Sequence, residues 1–150
     1  MSSLVLVAGG GFLAAVLWFD LMFDVQALGS PPSAAAIGSI MAYYRRVTTE
    51  AAPMGHLVAA VMVTTLVAGV RDLIRAESGR GLRAVALLLA AAPIALALLR
   101  VVPNAVALGR ASTAGPEEIA LARSILRDHV VCLVCILGFL AVRFGLALRP

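Results

Sequence analysis

Two carboxylates four residues apart, Asp20 and Asp24, close the first apolar stretch of the chain. On a helix this spacing places both side chains on one face. A carboxylate at the end of a membrane span is costly unless it reaches water or a partner, so the pair indicates a possible site. Such a pair of carboxylates can accept protons or bind a cation. The alternative is structural pairing with Arg45, Arg100 or Arg127.

The chain has two histidines, His56 and His129. Together with the two aspartates they are residue types that bind transition metals, and a pair of histidines can also hold haem. Their spacing matches no metal-binding motif, however. We therefore expect both histidines to lie at the level of the lipid headgroups and to bind no metal. The sequence does not indicate a cofactor.

A CxxC pattern occurs at Cys132-Leu133-Val134-Cys135. Redox-active pairs of this kind usually lie at a helix N-terminus, where free amides lower the pKa of the first thiol. Here the helix should begin near Pro116, which puts both cysteines in its middle and favours buried, inert thiols. The segment Val131–Ile136 nevertheless resembles the vitamin K epoxide reductases, and that resemblance implies a four-helix membrane thiol oxidoreductase. The loop cysteines of that family are absent.

The composition decides what kind of molecule positions these residues. Hydrophobic residues make up 62% of the 150 residues and charged residues 13%, against about 45–50% and 25% in soluble domains. Four apolar stretches are long enough to cross a bilayer, at about 4–23, 54–74, 83–102 and 129–148. The first lacks a preceding positive residue and is too long for a cleaved signal. We predict an all-α fold, an integral membrane four-helix bundle in a single domain spanning 1–150.

The connections carry further structure. Ser33 should cap a short helix over residues 34–47, and its aromatic and basic end predicts an interfacial helix in the first connection. Its apolar positions at helical spacing are Ile37, Ile40, Met41 and Tyr44. Pro103 should end the third span, and Pro93 should kink it. A final helix of roughly 33 residues, or about 50 Å, should begin near Pro116 and stand partly outside the hydrocarbon.

Three consecutive glycines, Gly9 to Gly11, lie inside the first span. In a bilayer such a run favours a face where another helix packs closely. An unwound functional segment is the alternative.

Four spans place both termini and the loop 71–83 on one side of the membrane. Arginines are equally divided between the sides, six against six with Arg149 included. The compact loop carries four of them, and this favours cytoplasmic termini in the inner (plasma) membrane of a bacterium. Asp72 and Glu77 at this end should be solvated loop charges. No basic stripe with interleaved aromatics is present, so we expect lipid rather than nucleic acid as the partner.

The same topology gathers most polar residues at the opposite side. The predicted polar pocket there consists of Asp20, Asp24, Arg100, Asn104, Arg127 and His129. Weaker candidates are His56, Tyr43, Arg45, Cys132 and Cys135.

The four-span plan also resembles small membrane proteins of unknown function related to the anthrone oxygenases. The segments that carry the resemblance are Val102-Pro103-Asn104 after the third span and Arg127-Asp128-His129 leading into the fourth. It implies cofactor-independent oxygenation of a polyphenolic substrate.

Three functions remain open from the sequence. The pocket can bind or oxidise a small amphipathic substrate. The chain can be a structural or assembly subunit, or a homo-oligomer, that packs through Gly9–Gly11. It can also be a proton-coupled carrier that uses Asp20 and Asp24.

Overall fold

The computed structural model describes the backbone of residues 2–148, with the side chains of all but positions 2 and 52. Arg149, which enters the arginine count, lies outside the described residues. The described chain is helical and contains no strand. The α-helices are α1 (Ser2–Asp24), α2 (Ala34–Arg45), α3 (Ala52–Ile74), α4 (Arg80–Leu96), α5 (Val102–Arg110) and α6 (Pro116–Ala147). A 3-10 turn, Val25–Leu28, follows α1, and wide π turns, Arg46–Glu50 and Ala97–Val101, follow α2 and α4.

Four helical segments are long and apolar enough to cross a membrane: Ser3–Leu28, Pro53–Ile74, Arg80–Arg110 and Pro116–Ala147. Large apolar side chains stand out from them, among them Leu4, Leu88 and Leu99. Lipid can cover such a surface, whereas water would penalise it. The chain is therefore a multi-pass membrane protein, and the predicted all-α helical bundle is confirmed.

The third span is longer than predicted, because Pro103 does not end it. In the π turn before Pro103 the Val102 amide donates to the carbonyl of Ala97, five residues back. Pro103 then falls in the first turn of α5, where a missing N–H costs little. The helical segment therefore runs on to Arg110.

The glycines of α1 pack against two other helices, as the packing interpretation predicted. A Cβ on Gly9 would clash with the hydroxyl of Thr65 in α3, and one on Gly10 would lie 2.7 Å from the Phe139 ring in α6. Only Gly11 faces open space. The face proposed for an external partner is thus largely covered within the bundle.

The apolar core is divided into two parts. Leu6, Ala86, Ala90 and Phe139 form a buried cluster among the four spans. The second part, which we call the cap layer, consists of the 3-10 turn, α2, α5 and residues 116–126 of α6. Its buried side chains are Ala27, Ile37, Ile40, Met41, Tyr44, Ala105, Leu108, Ala122 and Ile125.

The predicted helix in the first connection, α2, belongs to this cap layer. Its N-terminus is capped by the Ser33 hydroxyl, which accepts from the Ala36 amide at 3.1 Å. The apolar face of α2 packs on α5 and α6. One face of residues 116–126 is therefore covered by protein where the long helix leaves the predicted hydrocarbon region.

At the other end Glu77 is exposed, as expected for a solvated loop charge, but an ion network corrects that expectation for Asp72. Asp72 Oδ1 lies 2.7 Å from Arg83 Nη1, and Asp72 Oδ2 lies 2.6 Å from Arg143 Nη1. Arg143 is only 4% exposed and also donates to Ser3 Oγ at 3.4 Å. Asp72 thus joins α3, α4 and α6, and Arg143 reaches α1.

Candidate functional site

A cluster of polar side chains lies between the cap layer and the four spans, and Asp24 is at its centre. It ends α1 and is fully buried. The Tyr44 hydroxyl donates to its Oδ1 at 2.7 Å, and its Oδ2 lies 2.6 Å from His129 Nδ1. A buried carboxylate is tolerated when its oxygens are hydrogen-bonded. Three elements, α1, α2 and α6, are joined through this one side chain.

Asp20 occupies the next turn of α1 and faces the other edge of the same imidazole. Its Oδ1 accepts a hydrogen bond from the Tyr43 hydroxyl, and its Oδ2 lies 3.8 Å from His129 Nε2. Phe23 stacks on the Tyr43 ring, with centroids 4.1 Å apart. The structure thus brings together Asp20, Asp24 and His129 of the predicted pocket and adds Tyr43, one of the weaker candidates.

Both tyrosines of the chain belong to this cluster, and both hold their protons firmly. Burial, and next the neighbouring aspartate, raise the pKa of Tyr44 far above its ordinary value of 10.0. Burial and Asp20 likewise raise the pKa of Tyr43. Desolvation disfavours a phenolate, and a nearby carboxylate repels it. Each tyrosine therefore serves as a permanent hydrogen-bond donor to its aspartate.

A cavity of about 160 Å³ adjoins the cluster inside the bundle. Its walls come from all four spans, and nearly all of its lining is apolar. The polar contributors to the lining are Asp20, His129 and Cys132. Asp24, which bonds to Nδ1, does not line the cavity, so the Nε2 edge of His129 is the one that faces it. The remaining lining residues are Leu13, Val16, Leu17, Val58, Met62, Pro93, Ile94, Ala97, Val101, Val102 and Ile136.

The arginines predicted for the pocket form a separate group around Asp128. Arg100 Nε lies 3.2 Å from Asp128 Oδ2, an ion-pair distance without hydrogen-bond alignment. Arg127 Nε lies 3.5 Å from Asp128 Oδ1. Asp128 is 3% exposed. The expected pairing of these arginines with Asp20 and Asp24 is therefore corrected: the carboxylate that they contact is Asp128.

Three further candidates lie away from the cluster. Arg45 donates to the carbonyls of Gly109 at 3.0 Å and Ala111 at 2.9 Å, and so closes the end of α5. His56 is exposed in the first turns of α3, and Asn104 is half-buried in α5. These three residues lie at the end of the bundle that topology predicts for them, but none of them lines the cavity.

Cys132 and Cys135 lie in the middle of α6, as predicted, and both are free. Cys132 is buried, and its thiol donates to the carbonyl of Pro93 at 3.6 Å. Cys135 is partly buried. Neither thiol lies near the amides of a helix N-terminus that would activate it.

Two features, one in the Asp24 cluster and one in the separate Asp128 group, escaped the sequence interpretation. Tyr44 was predicted only as part of the apolar face of α2, because its hydroxyl gives no periodic signal. Asp128 follows Arg127 directly, and its burial depends on the rotation of α6, which the sequence pattern does not specify.

Comparisons with known proteins add no family to this geometry. No protein-family model, curated protein or solved structure matches the chain significantly. Among residues 2–148, no group of three or more histidine, cysteine or acidic side chains has the geometry to hold a metal ion.

Proposed function

We propose that the cavity binds a small, largely apolar molecule with one hydroxyl group, held between His129 Nε2 and Asp20. The observation that carries this proposal is the 3.8 Å separation of His129 Nε2 and Asp20 Oδ2 at the wall of an apolar cavity. That distance is too long for a direct hydrogen bond. A hydroxyl beside the two atoms can donate its single proton to one of them, and it accepts from the other when that group is protonated.

The size of the cavity narrows the class of ligand. Its volume of about 160 Å³ is close to that of an apolar cavity of about 150 Å³ that holds benzene. Leu13, Met62 and Ile136 supply the apolar contacts. A ring of one-benzene size with a hydroxyl, such as a simple phenol, satisfies both the volume and the polar edge.

The same geometry suits a chemical step after binding. Asp24 holds the imidazole through Nδ1, which leaves Nε2 as the position of a general base for a bound phenol. Removal of that proton is the step with which oxidation of a polyphenol would begin. The resemblance to the anthrone oxygenases stays a prediction. Cys132 lacks activation by a helix terminus, so a thiol oxidoreductase has less support.

The binding proposal is tested with para-cresol and toluene, which differ in one hydroxyl. In lipid nanodiscs, ligand-detected NMR should show tighter binding of para-cresol to the native protein. His129→Gln should weaken para-cresol binding roughly 5- to 150-fold, the range of about 1–3 kcal/mol for a lost buried hydrogen bond. Toluene binding should change little, because toluene makes no polar contact.

Two matched controls make the result specific. His56→Gln changes the exposed histidine and should leave both affinities unchanged. Ala97→Leu fills the cavity and should remove binding of both ligands, whereas Ala92→Leu, on the exposed side of α4, should not. The proposal would be refuted if each ligand bound the Ala97→Leu protein as tightly as it binds the native protein.

The two other functions have less support. A carrier needs a polar path, but Leu6, Ala90 and Phe139 lie between the two polar ends of the bundle. An assembly subunit would need a packing face other than Gly9 and Gly10, which contact Thr65 and Phe139.

We also propose that the protein lies in the plasma membrane, the inner membrane of a bacterium, with cytoplasmic termini. The four arginines of the compact loop 71–83 support this orientation through the positive-inside rule. The pocket then lies near the outer face of that membrane.

A further inference from the structure

A second concave surface lies on the outside of the bundle and is distinct from the cavity. It is a groove of about 890 Å³ between α1 with its 3-10 turn and the first half of α6. Trp18, Leu21 and Met22 line one wall. Trp18 is 62% exposed and Met22 57% exposed, so this apolar surface is not covered by the chain itself.

The polarity of the groove changes along its length. Because α1 and α6 run antiparallel, Trp18 lies level with Val131 at the inner end, and Ser30 lies level with Arg123 at the outer end. Arg123 and Arg127 are one turn apart on α6, and both line the groove. The inner end is thus apolar and the outer end basic.

The two arginines keep donors free for a ligand. Arg123 holds the 3-10 turn by donating to the carbonyls of Ala27 at 3.3 Å and Gly29 at 3.0 Å. The side chain of Arg127 is 66% exposed and shares Asp128 with Arg100. A guanidinium has five N–H donors and matches phosphate geometry. Among the described residues that line the groove, none is acidic.

We propose that this groove is a binding site for an anionic phospholipid. The apolar inner end accepts an acyl chain, and Arg123 and Arg127 bind the phosphate at the outer end. The order of the two ends matches that of a phospholipid in a bilayer, with its chain directed inward and its headgroup outward. Basic pockets beside membrane helices are suited to anionic headgroups. The proposal does not depend on the function of the cavity.

Trp18 provides the probe, because it is the single tryptophan of the chain. The full-length protein is reconstituted in nanodiscs with a small fraction of phospholipid brominated on its acyl chains. Brominated phosphatidylglycerol should quench Trp18 fluorescence several-fold more efficiently than brominated phosphatidylcholine at the same mole fraction. The difference should shrink at high salt, because exposed charges are screened.

Arg127→Gln should weaken the preference for phosphatidylglycerol roughly fivefold, the share of one surface arginine. The matched control is Arg110→Gln, an exposed arginine at the end of α5 outside the groove, which should leave the preference unchanged. Equal quenching by the two lipids would mean non-selective boundary lipid and would overturn the proposal. Quenching by neither lipid would also overturn it, because a second copy or another protein would then cover Trp18.

Discussion

At the scale of single residues, His129 has two nitrogens in different surroundings. Nδ1 is 2.6 Å from a fully buried carboxylate, whereas Nε2 is 3.8 Å from the partly exposed Asp20. A partner on one ring nitrogen fixes the ring orientation and the tautomer, and so defines the role of the other. Asp24 is therefore a positioning residue, and His129 with Asp20 forms the edge that a ligand meets.

The tyrosines allow a direct test of this arrangement. Burial raises the pKa of both Tyr43 and Tyr44 above the ordinary 10.0. We expect no tyrosinate absorbance from the folded protein at roughly one pH unit above that value, where an unfolded chain is mostly ionised. Since the folded state keeps the phenol protons, its stabilisation by these groups is complete below pH 10.0 and falls as the pH rises further.

The control for this measurement is the same titration in denaturant, where both tyrosines should ionise near their ordinary pKa. Tyr44→Phe should halve the final tyrosinate signal and lower stability by about 1–3 kcal/mol, because Asp24 loses its buried donor. Ionisation of either tyrosine at its ordinary pKa in the folded protein would show that the cluster is open to water.

The sequence placed Asp20, Asp24 and His129 at the same end of the bundle, because few polar groups lie near span ends and topology assigns each to a side. It assigned Arg100 and Arg127 to the wrong carboxylates. An arginine side chain is long enough to reach several neighbours, so the side of the membrane alone does not choose among Asp20, Asp24 and Asp128. That choice depends on helix rotation, which only packing determines.

At the scale of elements, α2 carries both tyrosines and must be held close to the spans. Its end meets α5 at Gly109, where an added Cβ would lie 2.8 Å from the Arg45 nitrogen and 2.9 Å from the Tyr44 carbonyl carbon. Both atoms belong to the backbone and cannot rotate away. A glycine at this position therefore permits the helix contact that places Tyr44 at Asp24.

We expect Gly109→Ala to destabilise the protein by about 1–3 kcal/mol, the usual cost of overpacking. It should also lower the pKa of Tyr44 towards its ordinary value, because α2 must move. Gly38→Ala, on α2 with nothing within 4 Å of its added Cβ, is the matched control: it should leave the Tyr44 titration unchanged and raise stability by about 0.5–1 kcal/mol, the gain of alanine over glycine in a helix. Thermal unfolding and tyrosinate absorbance measure the two effects. An unchanged Tyr44 titration in Gly109→Ala would show that this contact does not position the cluster.

The end of the third span could not be predicted from the sequence pattern. Pro103 is a normal stop signal, and the expected end near Val102 follows from the missing amide proton. The π turn at Ala97–Val101 changes the hydrogen-bond register just before the proline. Local propensities do not reveal such a turn, so α5, which forms part of the cap layer, was not predicted.

At the scale of the whole molecule, the two ends differ in construction. One end is closed by Asp72, Arg83 and Arg143, and the other by the cap layer and the Asp24 cluster. The sequence predicted which residues share an end, because four spans fix the sides. It missed the burial of Arg143, since an arginine close to a chain end looks the same whether it is solvated or paired.

The orientation of these ends is testable with single cysteines in a background without Cys132 and Cys135. Ser78 lies in the loop between α3 and α4, Thr113 lies between α5 and α6, and both are exposed. If the arginines of the compact loop keep it inside, a membrane-impermeant maleimide should label Thr113→Cys on intact cells, and Ser78→Cys only after the cells are opened. The reverse labelling would place the Asp24 cluster, the cavity and the lipid groove towards the cytoplasm, because all three share the Thr113 end.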